Sequence, residues 1–265
     1  MKFAVVTFLV AGAVATASAQ QAPSTPDAQP LGALAPANLN KSRPAPPFDV
    51  TGTWLNDIRF KGSWRFGPPP DNVKLKGEAL KHFEAARQAQ AEGKVYHDDI
   101  GQCWPAGLPM IMTRVWPIAM VQKPTVIYMV SGFMNSTRIV YLDGRTHTDP
   151  DLVVRTFNGE SIGQWAGETL VIDTQYFRGD HHWMDQGGLG IPAGEALHIV
   201  ERVRMVNGGR QLEIAFTMTD PEHWVGEWSS TKRFNRVDDV DIQEVECLPD
   251  LNEHLQSTTS KTQVK

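Results

Sequence analysis

His147, His181, His182 and His198 put four of the chain's eight histidines into one stretch, interleaved with the carboxylates Asp173, Asp185 and Glu201. Imidazoles and carboxylates held together in a partly dry site exchange protons near neutral pH. The densest part reads YFRGDHHWMDQGG over 176–188. There His182 or His181 is the candidate general acid or base, with Asp185 to orient the ring. Trp183 is the candidate cover, because an exposed loop seldom carries an indole unless it shields something. His198 is a second candidate for moving the proton, and Asp173 a second orienter. Arg145, placed by the Asp143-Gly144 turn, suits an anionic or oxygen-rich substrate group. Trp165, Trp183, Trp228 and Glu201 complete the candidate substrate-binding set, aromatic walls being suited to flat ligands.

Two other chemistries read less well. Gly159-Glu160-Ser161-Ile162-Gly163 fits the G-x-S-x-G pattern of serine hydrolases, with Asp173 and His198 following in order. A nucleophile elbow requires strand, sharp turn and helix, and Ser161 is followed instead by Gln-Trp-Ala-Gly and another strand. The expected role of these glycines is a turn or bulge, and Ser161 is not read as a nucleophile. For metal binding, His181 and His182 are adjacent and no His-x-His or His-x-Glu-x-x-His occurs. A site from His147, His182, His198 and a carboxylate would have to converge through tertiary structure alone, so no metal and no cofactor is expected.

The elements that must position these groups are mostly strands. FDVTGTWL at 48–55 opens the domain, and one helix is expected at about 73–92, with Leu75, Ala79, Leu80, Phe83 and Ala86 as its apolar stripe and Gly93 at C′. Runs at 117–122, 125–131, 137–142, 163–165, 169–174, 197–206, 211–219, 228–234 and 242–247 read as strands, with hairpin turns at Ala166-Gly167 and Asn207-Gly208-Gly209. Hairpins in succession without βαβ spacing predict an all-β fold, an antiparallel barrel of about nine strands. Alternation along 197–205 puts Leu197, Ile199, Glu201, Val203 and Met205 on one face and His198, Arg202 and Arg204 on the other. A carboxylate in an apolar stripe has to be paired or functional. An arginine such as Arg138, Arg202 or Arg233 is the structural partner to expect for Glu201.

Outside the folded part, Lys2, the apolar run 3–15 and Ala17-Ser18-Ala19 form an export signal over 1–19. Residues 20–47 hold seven of the 18 prolines and read as a flexible linker, and 249–265 as a frayed polar tail. That leaves 48–248 as one domain, exported to the periplasm or beyond. In an oxidising compartment the only two cysteines, Cys103 and Cys247, are expected to form a disulfide that pins the last strand to the body. A net charge of −5 argues against nucleic acid, and after signal cleavage no membrane association is expected.

The strings YLDGRTH at 141–147, GESIGQW at 159–165, GETLVIDT at 167–174 and LHIVER at 197–202 occur together with Cys103-Trp104-Pro105. As a set they resemble a widespread group of exported bacterial proteins without an assigned activity. With the Gly52-Thr53-Trp54 opening, the resemblance implies a fold similar to lipocalin-like, calycin-type barrels, and it implies no catalytic residues. The expectation that follows is a cofactor-independent acid–base enzyme of the lyase, hydratase or isomerase kind. Its substrate would be a small phenolic, sugar-derived or polycyclic molecule in a Trp-lined barrel cavity. The alternatives are an exported binding protein with the same pocket and no turnover, or a metal-dependent hydrolase.

Overall fold

A computed structural model describes residues 31–63, 65–94, 96, 99–185 and 188–248. The expected signal (1–19), the first part of the linker and the tail (249–265) lie outside the described residues. In chain order the elements are helix α1 (Pro36–Leu39), strand β1 (Gly52–Asn56), β2 (Lys74–Leu75), helix α2 (Gly77–Ala91), β3 (Ile118–Lys123), β4 (Val126–Ser131), β5 (Ser136–Tyr141), β6 (Glu160–Ala166), β7 (Thr169–Gln175), β8 (His198–Val206), β9 (Gln211–Thr219), β10 (Trp224–Val225) and β11 (Trp228–Val237).

Nine strands close a barrel in the order β1-β11-β9-β8-β7-β6-β5-β4-β3, with β3 pairing back to β1. The barrel is mixed rather than wholly antiparallel, because β5 and β6 run parallel through Val140 and Tyr141 opposite Ser161 and Ile162. Strict up-down alternation cannot close on an odd number of strands, so one neighbouring pair has to be parallel. The connection that permits it is the long excursion 142–159, which returns the chain to the end from which β5 started. β2 and β10 pair separately, outside the barrel.

Helix α2 begins later than its sequence pattern, since Lys74 and Leu75 belong to β2. Ala79, Ala86 and Ala89 are its buried face, whereas Leu80 is exposed. It ends in a Schellman motif: the Lys94 N–H donates to the Ala89 carbonyl at 2.8 Å and the Gly93 N–H to that of Gln90 at 3.0 Å. Gly93 supplies the φ of +70° that this cap requires.

Alternation sorts the strands as expected. Leu170, Ile172, Ile199, Val203, Leu212, Ile214, Phe216 and Met218 are buried toward the core, and neighbours one residue away face outward. The barrel is filled. The space left inside is about 20 Å³, bounded by Val50, Met120, Met129, Val140, Ile172, Glu201 and Ile214 among others. That holds one water and is far short of the roughly 300 Å³ of a small-molecule site. No tryptophan lines this space, whose walls are aliphatic and methionine side chains with Glu201. Trp54, Trp224 and Trp228 are fully buried packing residues.

Residues 31–47 differ from a free tether. Helix α1 buries Asn38, whose side-chain amide donates to Asp143 Oδ2 at 2.9 Å, and the Thr125 hydroxyl donates to the Ala33 carbonyl at 2.6 Å. A proline-rich stretch lacks a core of its own, but it can order by borrowing partners from the barrel. The segment 242–247 is likewise not a strand. It is held by the Cys103–Cys247 disulfide and by the Asn135 side chain, which donates to and accepts from the Val245 backbone at 2.5 and 3.0 Å. Titrating denatured, unreduced protein with a thiol reagent is expected to find no free thiol.

Lys232 lies fully buried, its Nζ donating to the Gly62 and Arg65 carbonyls over the Phe66 ring, with no carboxylate partner among the described residues. Burial pushes its pKa down to about 7, against roughly 10.4 in the unfolded chain. Between those values the unfolded chain binds the extra proton, so stability should rise with pH across that window. Lys232→Met is expected to flatten that rise in melting temperature measured against pH; an unchanged slope would contradict the assignment.

Candidate functional site

The residues that could do chemistry separate into three places. On the outer wall of the barrel, β7 and β8 turn Asp173 and His198 outward, out of phase with buried Ile172 and Ile199. His198 Nε2 lies 2.8 Å from Asp173 Oδ2, and the other carboxylate oxygen lies 2.9 Å from His147 Nε2. His147 comes from the 142–159 excursion, and its Nδ1 is 2.9 Å from Glu160 Oε2 at the start of β6. Thr148 closes the far end, donating its N–H (2.8 Å) and hydroxyl (2.5 Å) to Glu160, while Gln175 donates to Asp173 at 3.0 Å. The result is an unbroken row Glu160–His147–Asp173–His198.

The row grades from covered to open. His147 and Glu160 are mostly covered, whereas His198 and Asp173 are 38% and 39% exposed. Burial alone would raise Asp173, but hydrogen bonds from His198, Gln175 and His147 outweigh it and hold the carboxyl well below its ordinary range. Burial also works against ionised Glu160, and the bonds from Thr148 and His147 again prevail and lower it. Hydrogen bonding to Asp173 raises His198 above the ordinary histidine value in spite of partial burial. His198 Nδ1 has no hydrogen-bond partner among the described residues. Beside the row, the Tyr176 ring meets His147 edge-on at 5.7 Å and lies 5.9 Å from the Arg155 guanidinium. The loop between His147 and Arg155 holds Leu152 and Val154 out in solvent, 76% and 82% exposed.

The second place is the 176–192 loop, in which Phe177, His182, Met184 and Asp185 are buried while Asp180 is exposed. His182 is 1% exposed, with its ring nitrogens 2.9 Å from the Arg178 carbonyl oxygen and 2.7 Å from that of Leu108. Phe157 and Phe177 flank it at 5.7 Å each. Burial pushes its pKa down to about 4, so near neutrality the ring is uncharged and can donate to only one of the two carbonyls. Asp185 does not meet it. Asp185 is 2% exposed, accepts the Leu189 N–H at 3.1 Å, and is raised by burial although Arg65 and Arg114 stand nearby. His181 stacks on Trp104 at 3.9 Å and lies 3.6 Å from Asp99, whose carboxylate accepts the Trp183 indole N–H. His182, Asp185 and His198 each have their own partners: His182 the Arg178 and Leu108 carbonyls, Asp185 the Leu189 N–H, and His198 the Asp173 carboxylate.

The third place is the barrel interior. Arg138 and Glu201, each 1% exposed, form a two-pronged ion pair, with Arg138 Nη1 donating to Glu201 Oε1 at 3.0 Å. The guanidinium also donates to Ser161 at 3.1 Å and Thr174 at 3.0 Å. Glu201 thus meets the structural partner that its position in an apolar stripe called for, sealed from any substrate. Ser161 sits within β6, not on a turn or bulge, and points inward with no solvent exposure.

The remaining candidates are dispersed. The Arg145 fork closes on Asp143 at 2.8 and 2.6 Å and lies 4.0 Å over Tyr141, which draws Asp143 down to about 2. Trp165 packs edge-on against Phe48 at 4.9 Å, and Trp228 against Trp224 at 5.7 Å. Asp220, Glu222 and His223 bring one potential metal-binding atom each within 4.8 Å of the others. Asp220 is already engaged there by the N–H groups of Gly194 (2.9 Å) and Glu222 (3.1 Å) and by His223 Nδ1 (2.8 Å), a side-chain-capped turn.

Glu160 is the member of the row that the sequence reading passed over. Its signal was alternation: if Ser161 faces in, Glu160 faces out, two residues from Ile162, which pairs with Asp173. Comparison with known proteins finds no matching family model and no curated relative for the chain.

Proposed function

We propose that the protein is an exported acid–base enzyme that transfers a proton to or from a small organic molecule at His198, in a lyase-, hydratase- or isomerase-type reaction. The observation that carries this reading is the shared Asp173 carboxylate, which fixes His198 through Nε2 while Nδ1 stays open. That is the arrangement a general base needs: one nitrogen oriented by a carboxylate, the other free to reach substrate. His198 Nδ1 accepts the substrate proton and Asp173 stabilises the imidazolium, whose exposed N–H exchanges with solvent before a proton is returned to the substrate. His147 and Glu160 are positioning residues that hold Asp173 ionised and aligned. Proton transfer needs no cofactor. Leu152, Val154 and Tyr176 offer the apolar surface on which an organic substrate would rest. No helix among the described residues is long and apolar enough to cross a membrane, and the disulfide fits an oxidising compartment.

The reading is tested by incubating the protein in D₂O with phenolic and sugar-derived compounds bearing acidic C–H bonds and following deuterium uptake. Uptake catalysed by the native protein and abolished by His198→Gln is the expected result. Uptake that survives the substitution would overturn the assignment.

A further inference from the structure

Residues 40–47 form an arch pinned at both ends to one end of the barrel. On one side Asn38 holds Asp143, Thr125 holds Ala33, and Arg145 donates to the Leu31 carbonyl at 3.1 Å. On the other, Gln122 accepts the Val50 N–H at 3.1 Å and donates to the Phe48 carbonyl at 3.3 Å, while Phe48 packs on Trp165. Pro44, Pro46 and Pro47 stiffen the span between the anchors, so it bridges the barrel end instead of collapsing onto it. Beneath it lies a space of about 840 Å³, against about 20 Å³ inside the barrel and roughly 300–1,000 Å³ for small-molecule sites in general.

Its walls have a definite chemistry. Half-buried Trp165 and Leu142, with Leu39 and Pro124, supply apolar surface. Lys41 and Lys123 line the space and make no ion pair among the described residues. Arg43 donates to Asn38 oxygens at 2.6 Å twice, so its charge meets no carboxylate. Of the two acids in the lining, Asp143 is matched by Arg145, which leaves Asp49 alone against three cations.

We propose that this space is a binding site for a flat apolar anion, an aromatic carboxylate or sulfonate, whose ring lies against Trp165 and whose charge meets Lys41 and Lys123. The site is separate from the Asp173–His198 row and does not rest on the enzymatic reading.

The test is a fluorescence and calorimetric titration of the protein with 1-anilinonaphthalene-8-sulfonate. Saturable one-to-one binding is expected, weakened at least about tenfold by Trp165→Ala and by Lys41→Glu/Lys123→Glu, and unaffected by His198→Gln. A cationic dye of similar size, N-methylacridinium, should not compete. The two lysines are exposed, so the charge-reversed variant should keep the native melting temperature and decides the matter even where Trp165→Ala unfolds. No saturable binding, or binding indifferent to both variants, would overturn the proposal. So would sulfonate binding that fades as protein concentration rises and a dimer appears in sedimentation, which would give the space to a second copy of the chain.

Discussion

Changing His198 to glutamine is expected to lower kcat by about 10²–10⁴, the usual contribution of a positioned acid or base, once a turned-over compound is in hand. Glutamine keeps a polar group near Asp173 but cannot carry a proton, so the loss should fall on kcat with KM little changed. Asp173→Asn should cause a comparable loss, because it removes the carboxylate that orients the ring and stabilises its charged form. His147→Gln and Glu160→Gln act one and two groups further back, and are expected to shift the pH profile more than they lower its maximum. The folding signature has a sign. Asp173 is depressed in the folded chain, so its contribution is present above roughly pH 3.9 and is lost as pH falls through the folded value. His198 is raised, so its contribution is full below roughly pH 6.5 and is lost as pH rises through the folded value. His198→Gln should therefore remove a modest stability excess between about pH 4 and 6.5 and leave stability near pH 9 unaltered. A large drop in melting temperature at every pH, tracking the loss of turnover, would make His198 a structural residue.

The strands and their facing were legible because period-two alternation is a local property. From it follow the Glu201 of the apolar face and the His198 of the opposite one; that Asp173 on the next strand shares the face of His198 comes from the register of β7 against β8. What closure of the barrel brings together was not legible. His147 sits in a long excursion with no periodicity, so nothing local says that it returns to bridge Glu160 and Asp173. Arg138 was one of several arginines that suited Glu201, and only the register of β5 against β6 selects it. The surroundings of His182 and Asp185 were the least legible. A loop dense in His, Asp and Trp resembles a solvated functional loop, yet this one buries His182 against backbone carbonyls and aromatic rings. Polar composition reports what a loop can satisfy, and the partners here are carbonyl groups that leave no trace in side-chain pattern. The filled interior was equally hidden, since the count of eight tryptophans does not say that Trp54, Trp224 and Trp228 pack in the core rather than around a ligand.

Glu201→Ala is expected to destabilise the fold by about 3–5 kcal/mol, read from urea unfolding, because it strands the Arg138 guanidinium in the barrel without its counter-charge. Ser161 and Thr174 would remain on Arg138, but hydrogen bonds from a charged group contribute about 1.5–3 kcal/mol each and supply no counter-charge to a buried cation. The space of about 20 Å³ beside Glu201 admits one water, too little to rehydrate the charge. Removing both charges is a different matter. Arg138→Met/Glu201→Leu eliminates the desolvation penalty along with the attraction, and pairs of this kind are commonly neutral to a few kcal/mol stabilising when the volume is kept. The double variant is therefore expected to recover most of the loss, with a coupling of several kcal/mol in the corresponding mutant cycle. Ser161→Ala should cost far less than Glu201→Ala, and should leave proton-transfer activity intact because Ser161 faces the interior and His198 the outer wall. If Glu201→Ala proved nearly silent, the pair would have to be open to water. If instead it abolished turnover while leaving stability unchanged, the chemistry would move from the outer wall to the barrel interior.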